Sequence, residues 1–236
     1  MNTQADKSQK REKVHSGHRE RVREKYINSG NLDNFKDHEA LEFLLYYCYP
    51  QQDTNEIAHK MINEFGSLSK LLEATPGEIS RRCRVTERVA TLVSLVPHLA
   101  KLYLTGKYHS KFVMNNSKLV GEYCVTLFTN IHYECFYIIC LDTQRRLIRA
   151  ELVHEGGLDA TAVYPRIILE AALKNRAACV VLTHNHPGGR LLPSKSDMEV
   201  TKKLRTALES IDVELIDHII VADGNYYSFV EKKVHF

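Results

Sequence analysis

The sequence predicts two structural classes in succession: an all-helical N-terminal domain over residues 18–108, and an α/β sandwich with a mixed sheet over residues 113–236. Apolar residues recur at helical spacing in the first part, whereas the second part carries short runs rich in β-branched and aromatic residues. The polar stretch 106–118 separates the two patterns. Residues 1–17 are polar and rich in Lys and Arg, so we expect a disordered basic tail there.

In the N-terminal part, capping residues, prolines and glycines interrupt the helical spacing. Asp37 and Asp53 are predicted N-caps, and Pro76 follows the N-cap Thr75 at the first position of another helix. Pro97 is a predicted kink in the last helix. Helices are accordingly predicted over 18–30, 37–48, 53–64, 68–73 and 86–103, with a further helix beginning at Pro76.

In the second part, a strand hairpin is followed by a helix, a strand, a helix and a second hairpin, which is the order expected for an α/β sandwich. Asp223-Gly224-Asn225 is the tight-turn signal of the second hairpin. Strands are predicted over 134–141, 147–153, 177–183, 213–221 and 226–230, and helices over 164–174 and 193–209.

The composition excludes several classes of protein. The chain has 236 residues, of which 44% are hydrophobic, so it is long and apolar enough to bury a core. The N-terminal stretch lacks the apolar core of a secretory signal, and no run of 18 apolar residues predicts a membrane span. Six cysteines without a CxxC spacing indicate a reducing, cytoplasmic setting. A net charge of +3 permits nucleic-acid contact without arguing for it.

The candidate functional residues lie in the segment 183–197, THNHPGGRLLPSKSD. His184 and His186 lie two residues apart at the end of a predicted buried strand, so their imidazoles leave the same face. The glycine-rich loop lets the chain return, and the first turn of the next helix brings the Asp197 carboxylate toward them. Two histidines and one carboxylate suit zinc and leave one coordination position open, as in catalytic sites.

Simpler interpretations exist for each of these residues. Two histidines two residues apart occur by chance in a chain that has twelve. Ser194 followed by Asp197 is also a helix-capping pattern, which by itself explains both residues. Only the combination of a strand end, a glycine-rich return and an acid in the first helical turn favours a metal site.

The spacing His-x-His, seven residues, then Ser-x-x-Asp resembles the JAMM signature of the MPN+/JAB metallopeptidases. The surrounding sequence is most similar to the RadC family among these. The motifs that carry this resemblance span about residues 15–236 and are Gly17-His18-Arg19-Glu20-Arg21, His38-Glu39-Ala40-Leu41-Glu42, Asp53-Thr54-Asn55, Phe65-Gly66-Ser67-Leu68, Gly157-Leu158-Asp159, Tyr164-Pro165-Arg166, His184-Asn185-His186-Pro187, Pro193-Ser194 and Asp217-His218.

The resemblance implies a C-terminal MPN/JAMM domain and a zinc-dependent hydrolase of peptide or isopeptide bonds. His184, His186 and Asp197 would hold one zinc ion per chain. Glu151 would be the general base toward the water that the metal activates, in preference to Glu155 beside the Gly-Gly break. Ser194 would stabilise the oxyanion through its hydroxyl.

One pair of residues outside this set has two possible roles. Asp217-His218 could be a partner of a metal ligand or a structural pair near the end of the sheet.

Two other functions are compatible with the sequence. One is a DNA-repair-associated DNA-binding factor, and the other is a non-catalytic scaffold with a vestigial metal site. Relatives carry a helix-hairpin-helix whose turn contains Gly-x-Gly, but the corresponding stretch here, residues 79–87, has no glycine. We therefore expect a degenerate hairpin and only weak DNA contact through the basic N-terminal region. The peptide or protein substrate is not identified by the sequence, and no membrane contact is expected.

Overall fold

The computed structural model describes residues 17–108, 113–156 and 164–234. The chain divides into two units, Met1–His98 and Leu99–Phe236. The predicted basic tail lies outside the described residues except for Gly17, and the Gly157-Leu158-Asp159 motif lies outside them as well. The domain limits drawn from the sequence stay predictions.

Short helices joined by tight connections build the N-terminal unit, as the apolar spacing predicts. The Thr75 hydroxyl accepts the amide of Glu78, and the Glu78 carboxylate accepts the amide of Thr75, which confirms the predicted cap. The helices in the described residues are α1 (17–29), α2 (Asp37–Leu45), α3 (Asn55–Phe65), α4 (Leu68–Glu73), α5 (Pro76–Cys83) and α6 (Glu87–Gly106), the last of which extends beyond His98.

Two predicted N-caps are wrong by one residue. Lys36 precedes α2 and Thr54 precedes α3, so Asp37 is already helical and Asp53 lies one position too early. Asp53 still supports the start of α3, because its Oδ1 accepts the amide of Asn55 at 2.9 Å. A carboxylate near a helix start thus predicts the start more reliably than it predicts the capping position.

One apolar cluster holds the N-terminal unit together, and its buried members are each 2% exposed or less. Burial of each large apolar side chain contributes about 1.5–3 kcal/mol relative to exposure. Glu42 is buried nearby at 1% exposure and accepts hydrogen bonds from the Tyr46 hydroxyl and the Asn55 amide. The cluster consists of Leu41, Leu45, Ala58, Met61, Leu71, Ile79, Cys83, Val89, Ala90 and Val93.

By length and composition, α6 is the one helix of the described residues that could cross a membrane. Val89, Ala90 and Val93, in its first half, belong to the apolar cluster of the N-terminal unit. A helix whose apolar side packs in a core passes the same test of length and composition, so this finding is weak evidence for a span.

The C-terminal unit alternates helices and strands. Its elements in the described residues are α7 (Ser117–Leu127), β1 (Cys135–Leu141), β2 (Leu147–Glu155), α8 (Pro165–Lys174), β3 (Cys179–Asn185), α9 (Lys195–Glu209), β4 (Glu214–Ala222) and β5 (Asn225–Ser228). The sheet order is β2-β1-β3-β4-β5, with β3 and β4 parallel and the other neighbours antiparallel. The predicted mixed sheet is confirmed.

The sheet is covered on both faces, which gives the sandwich. On one face, Phe136, Ile138, Val180 and Leu182 pack with the apolar residues of α8 and α9. On the other face, the alternate residues of the same strands pack with α7. Because side chains alternate along a strand, His184 at the end of β3 lies on the face of α8 and α9.

Helix α7 is absent from the sequence prediction. Asn116 caps it, since its Oδ1 accepts the amide of Leu119 at 2.8 Å. The helix itself contains Val120, Gly121 and Val125, residue types that favour strands or turns over helices. Its packing against the sheet outweighs this weak local preference.

Replacing Gly121 by alanine is expected to destabilise the C-terminal unit. A Cβ at this position would lie 2.5 Å from ring atoms of Tyr226, so α7 or the ring must move. Overpacking of this kind costs about 1–3 kcal/mol, which a lower midpoint of thermal unfolding would report. Gly77→Ala is the matched control, because that helical glycine has no atom within 4 Å of a Cβ. An equal loss of stability in both variants would contradict the prediction.

Candidate metal centre

The structure brings His184, His186 and Asp197 to one point. The Nε2 atoms of His184 and His186 are 2.9 Å apart. Asp197 Oδ1 lies 3.3 Å from His184 Nε2, and Asp197 Oδ2 lies 3.7 Å from His186 Nε2. His184 is fully buried and Asp197 is 7% exposed, while His186 is half-buried at the surface. Among the described residues, this is the group of histidine, cysteine and acidic side chains that could hold a metal ion.

The local chain path explains this convergence. His184 is the sixth residue of β3, and the His186 amide donates to the Val221 carbonyl at 2.8 Å, which continues the parallel pairing with β4. Gly189 then turns the chain with a φ of +78°, a conformation that favours glycine. The return brings the first turn of α9 beside the end of β3.

Asp197 serves the helix and the site together. The Ser194 hydroxyl accepts the amide of Asp197 at 3.1 Å, and Asp197 Oδ2 accepts the amide of Ser194 at 2.6 Å. This capping box is the simpler interpretation that the sequence allowed. It coexists with the site, since Asp197 Oδ1 stays directed at His184.

A chain of hydrogen bonds determines which nitrogen of His184 carries its proton. The Thr201 hydroxyl donates to the Asp197 carbonyl at 2.5 Å, because a carbonyl can only accept. Its oxygen therefore accepts from His218 Nδ1 at 2.6 Å. A neutral His218 with its proton on Nδ1 accepts at Nε2, which lies 2.9 Å from His184 Nδ1. His184 therefore carries its proton on Nδ1 and presents a bare Nε2 to the site.

His186 reaches the same state by a different contact. Its Nδ1 lies 2.5 Å from the carbonyl oxygen of Arg190, so Nδ1 carries the proton and donates. Two bare ring nitrogens and a carboxylate oxygen consequently face one another. Such an arrangement repels itself unless a cation lies between the three atoms.

The donor set fits zinc in type and in spacing. Metal–ligand bonds of about 2.0–2.1 Å in a tetrahedral site place neighbouring ligand atoms about 3.3 Å apart. The three separations of 2.9, 3.3 and 3.7 Å lie around that value. Three protein ligands also leave a coordination position for another molecule.

Burial keeps the inner histidines neutral. It lowers the pKa of His184, and the negative charge of Asp197 opposes that effect only in part. Burial also lowers the pKa of His218, to well below its usual value, and the neighbouring His184 adds to this effect. Burial alone would raise the pKa of Asp197, but its interaction with the adjacent His184 and its hydrogen bonds with Ser194 hold the pKa well below its usual range. A neutral His184 and an ionised Asp197 are the protonation states that metal binding needs.

The structure does not bring Glu151 to this point. Its carboxylate accepts from the Lys174 ammonium at 3.0 Å and from the Asn175 amide at 2.9 Å, both at the end of α8. These bonds lower the pKa of Glu151 and hold its carboxylate at the end of α8. Glu155 is exposed and its carboxylate acts on Tyr133, whose pKa it raises.

Glu134 is a further carboxylate near the triad, and no local sequence pattern singles it out. It precedes β1, whose Phe136 pairs with His184, so continuing the register by two pairs would place Glu134 opposite His186. Alternation puts its side chain on the same face as His184. Its negative charge acts on His184 and opposes the lowering of that pKa. The strand was predicted to begin at Glu134, but its pairing with β3 could not be derived from the sequence.

The two residues of Asp217-His218 have separate roles. His218 contacts the triad directly through His184, so it is the partner of a candidate metal ligand. Asp217 lies on the opposite face and accepts from the Ser228 hydroxyl at 2.5 Å and the Val230 amide at 3.1 Å. Its role is to hold β5 and the following turn against β4.

A His218→Phe variant is expected to bind metal about 10–100-fold more weakly than the wild type, because His184 loses the acceptor that orients it. Thr201→Val should lower the affinity in the same direction by less, since it removes only the outer hydrogen bond. Zinc titration in competition with a chromophoric chelator measures both affinities. Unchanged affinity in a folded His218→Phe protein would show that His184 does not depend on this contact.

Together the fold and the site define a class: an α/β sandwich with a candidate metal triad at the end of its central strand. A family model described as a RadC-like JAB domain matches residues 114–234. The chain belongs to this family, and the resemblance drawn from the motifs is confirmed.

Similar proteins extend over almost the whole chain. The UPF0758 protein FN0909 of Fusobacterium nucleatum is 33% identical over 228 residues, which cover 94% of this chain and 98% of the relative. A UPF0758 protein of Pseudomonas fluorescens is 34% identical over 212 residues, covering 90% and 94%. The UPF0758 protein VSAL_I0192 of Aliivibrio salmonicida is 33% identical over 213 residues, with the same coverage. The similarity thus includes the helical unit as well as the JAB domain.

Proposed function

We propose that the protein is a zinc-dependent hydrolase that cleaves a peptide or isopeptide bond. The observation that carries this proposal is the convergence of two bare imidazole nitrogens and a carboxylate oxygen at one point in a JAB domain. His184, His186 and Asp197 would hold the ion. When bound, zinc would polarise the scissile carbonyl and lower the pKa of a water molecule in the open position.

Glu134 takes the role of general base in this proposal, in place of Glu151. A base must stand beside the metal without being one of its ligands, and the register of β1 and β3, continued beyond Phe136 and His184, would put Glu134 across from His186. Its carboxylate would accept a proton from the attacking water and then deliver that proton to the leaving amine. Glu151 is held by Lys174 and Asn175 instead.

Ser194 would stabilise the oxyanion that forms when water attacks the carbonyl. Its oxygen accepts the Asp197 amide as part of the helix cap, which leaves the hydroxyl hydrogen to be donated. The residue is exposed and stands at the start of α9, next to the triad. A donor fixed in this way costs little reorganisation during the reaction.

The setting of this reaction is proposed to be the cytoplasm. All six cysteines are free thiols, and five of them are buried. Burial raises the pKa of Cys124 to about 12 and that of Cys140 to about 11, so these thiols stay protonated and unreactive. They serve as small core residues.

Weak DNA contact through the basic N-terminal region stays a prediction. Arg19 in α1 donates to the Tyr49 and Pro50 carbonyls at 2.6 Å, so its guanidinium stabilises the connection between α2 and α3. Arg82 in α5 lies 4.0 Å over the ring of Phe65. Both arginines therefore have structural contacts within the N-terminal unit.

A metal-dependence assay tests the proposed function. Purified protein is stripped with a chelator, reloaded with zinc, and incubated with a library of fluorogenic peptides and lysine-linked isopeptides. We expect hydrolysis only after reloading. A protein that is purified without chelators and holds less than about one-tenth of an equivalent of zinc, or that cleaves nothing when loaded, would support the scaffold interpretation.

A further inference from the structure

Asn185, the residue between the two histidines, is buried at 4% exposure. Its Oδ1 accepts the amide N–H of Cys135 at 2.7 Å. Its Nδ2 donates to the carbonyl of Tyr133 at 2.9 Å. One side-chain amide therefore binds a main-chain donor and a main-chain acceptor on a different strand segment.

The two main-chain groups flank Glu134, one on each side. A third bond holds the same residue from the opposite edge, because the Glu134 carbonyl accepts the Gly156 amide at 2.8 Å. The peptide units before and after Glu134 are thus tied to β3 through Asn185, and its own carbonyl is tied to the end of β2. Three hydrogen bonds leave this residue little freedom to shift along the strand.

The Asn185 bonds also replace regular strand pairing. Cys135 and Asn185 lie opposite each other when the register of β1 and β3 is continued from Phe136 and His184. At this pair, the side-chain oxygen of Asn185 receives the amide that a main-chain carbonyl would otherwise receive. The end of β1 is therefore positioned by the same residue that stands between His184 and His186.

Asparagine suits this place because it has an acceptor and a donor on one short side chain. Aspartate would keep the bond to Cys135 but would turn an oxygen toward the carbonyl of Tyr133. Alanine would remove both bonds and leave two main-chain groups without these partners.

We propose that Asn185 is a positioning residue for Glu134: it fixes the main chain from which that carboxylate projects, on the face of the sheet that carries the two histidines. This inference rests on the proposed function, in which Glu134 is the general base. Proton transfer is sensitive to distance, and a misplacement of about 1 Å lowers rates about 10²-fold. In this proposal the side-chain amide of Asn185 fixes the position of the base, Glu134. His184 and His186, on either side of Asn185, fix the position of the metal.

The test compares Asn185→Ala and Asn185→Asp with Glu134→Gln and the wild type. We expect Asn185→Ala to lower kcat about 10²-fold, with KM little changed and zinc stoichiometry at the wild-type level. In a Glu134→Gln background, Asn185→Ala should have no further effect on kcat. Asn225→Ala is the control, because its amide also donates to a main-chain carbonyl but in an exposed turn.

A second measurement does not depend on substrate turnover. The visible absorption of the cobalt(II)-substituted protein is followed across pH, and Glu134→Gln is expected to shift its pH dependence. Asn185→Ala should shift it in the same direction, and Asn225→Ala should not. If Asn185→Ala fails to fold, Asn185→Asp, which keeps one of the two bonds, decides the question by the same measurements.

The outcomes separate the two proposals. If Glu134→Gln changes neither the rate nor the cobalt spectrum, the general-base assignment fails. If Glu134→Gln acts as expected while folded Asn185 variants keep the wild-type kcat and spectrum, the positioning role of Asn185 is overturned. Additive losses in the double variant would also overturn it, since they would show that Asn185 acts independently of Glu134.

Discussion

Zinc bound by a His186→Ala variant is expected to fall below about one-tenth of the wild-type amount, because one of three ligands is removed. His186 is the ligand best suited to this test. Its side chain is 16% exposed, and its Nδ1 donates to the Arg190 carbonyl in the loop. Its removal leaves the buried contacts of His184 with His218 in place, so the fold should persist. Metal analysis after dialysis at a fixed zinc concentration measures the effect.

The control for this experiment is His132→Ala, which removes an exposed histidine before β1. It should keep the wild-type zinc content, so that general loss of imidazole groups is separated from loss of the site. Circular dichroism of both variants verifies that the helices and strands are kept. Full zinc content in His186→Ala would contradict the assignment of the triad.

The second large effect is expected for Glu134→Gln, which should keep its zinc and lose hydrolysis by about 10²–10⁴-fold. Glutamine has nearly the same shape as glutamate but does not accept a proton at neutral pH. Because Glu134 is not one of the three converging ligands, metal content should not change. The initial rate on the best peptide from the library, measured with equal zinc loading, reports the loss.

Glu151→Gln is the matched control, since it is the same change on the neighbouring strand. It weakens the contacts of Glu151 with Lys174 and Asn175 at the end of α8. We expect an unchanged rate and at most a small loss of stability, because the Lys174 ammonium is largely exposed. The reverse pattern, with Glu151→Gln inactive and Glu134→Gln active, would return the role of base to Glu151.

Much of this arrangement could be predicted from local sequence. The triad was predictable because strand alternation, a glycine-rich return and a helix start each have a local signal. Glu134 was not, because its place depends on which strand lies beside β1. The hairpin partner β2 follows β1 in sequence, whereas β3 is more than thirty residues away and its register leaves no local trace.

Helix α7 and the partner of His184 illustrate the same difference. The residues of α7 favour other structures, and only the sheet beneath them makes the helix stable. The sequence draws attention to the Asp217-His218 pair, yet the two side chains point to opposite faces of β4. Only the assembled sheet shows that His218 is the one that contacts the triad. Both features depend on contacts between segments that are distant in sequence, so local sequence patterns do not predict them.

The double use of Asp197 has an evolutionary consequence. Because one of its oxygens begins α9 and the other faces His184, a lineage that abandoned the chemistry would still need this aspartate to start the helix. The His186 ring instead donates to the Arg190 carbonyl in the loop, and no helix depends on this contact for its start. Descendants that have become inactive should therefore keep the aspartate and substitute the second histidine first, so the histidine is the better marker of an active copy.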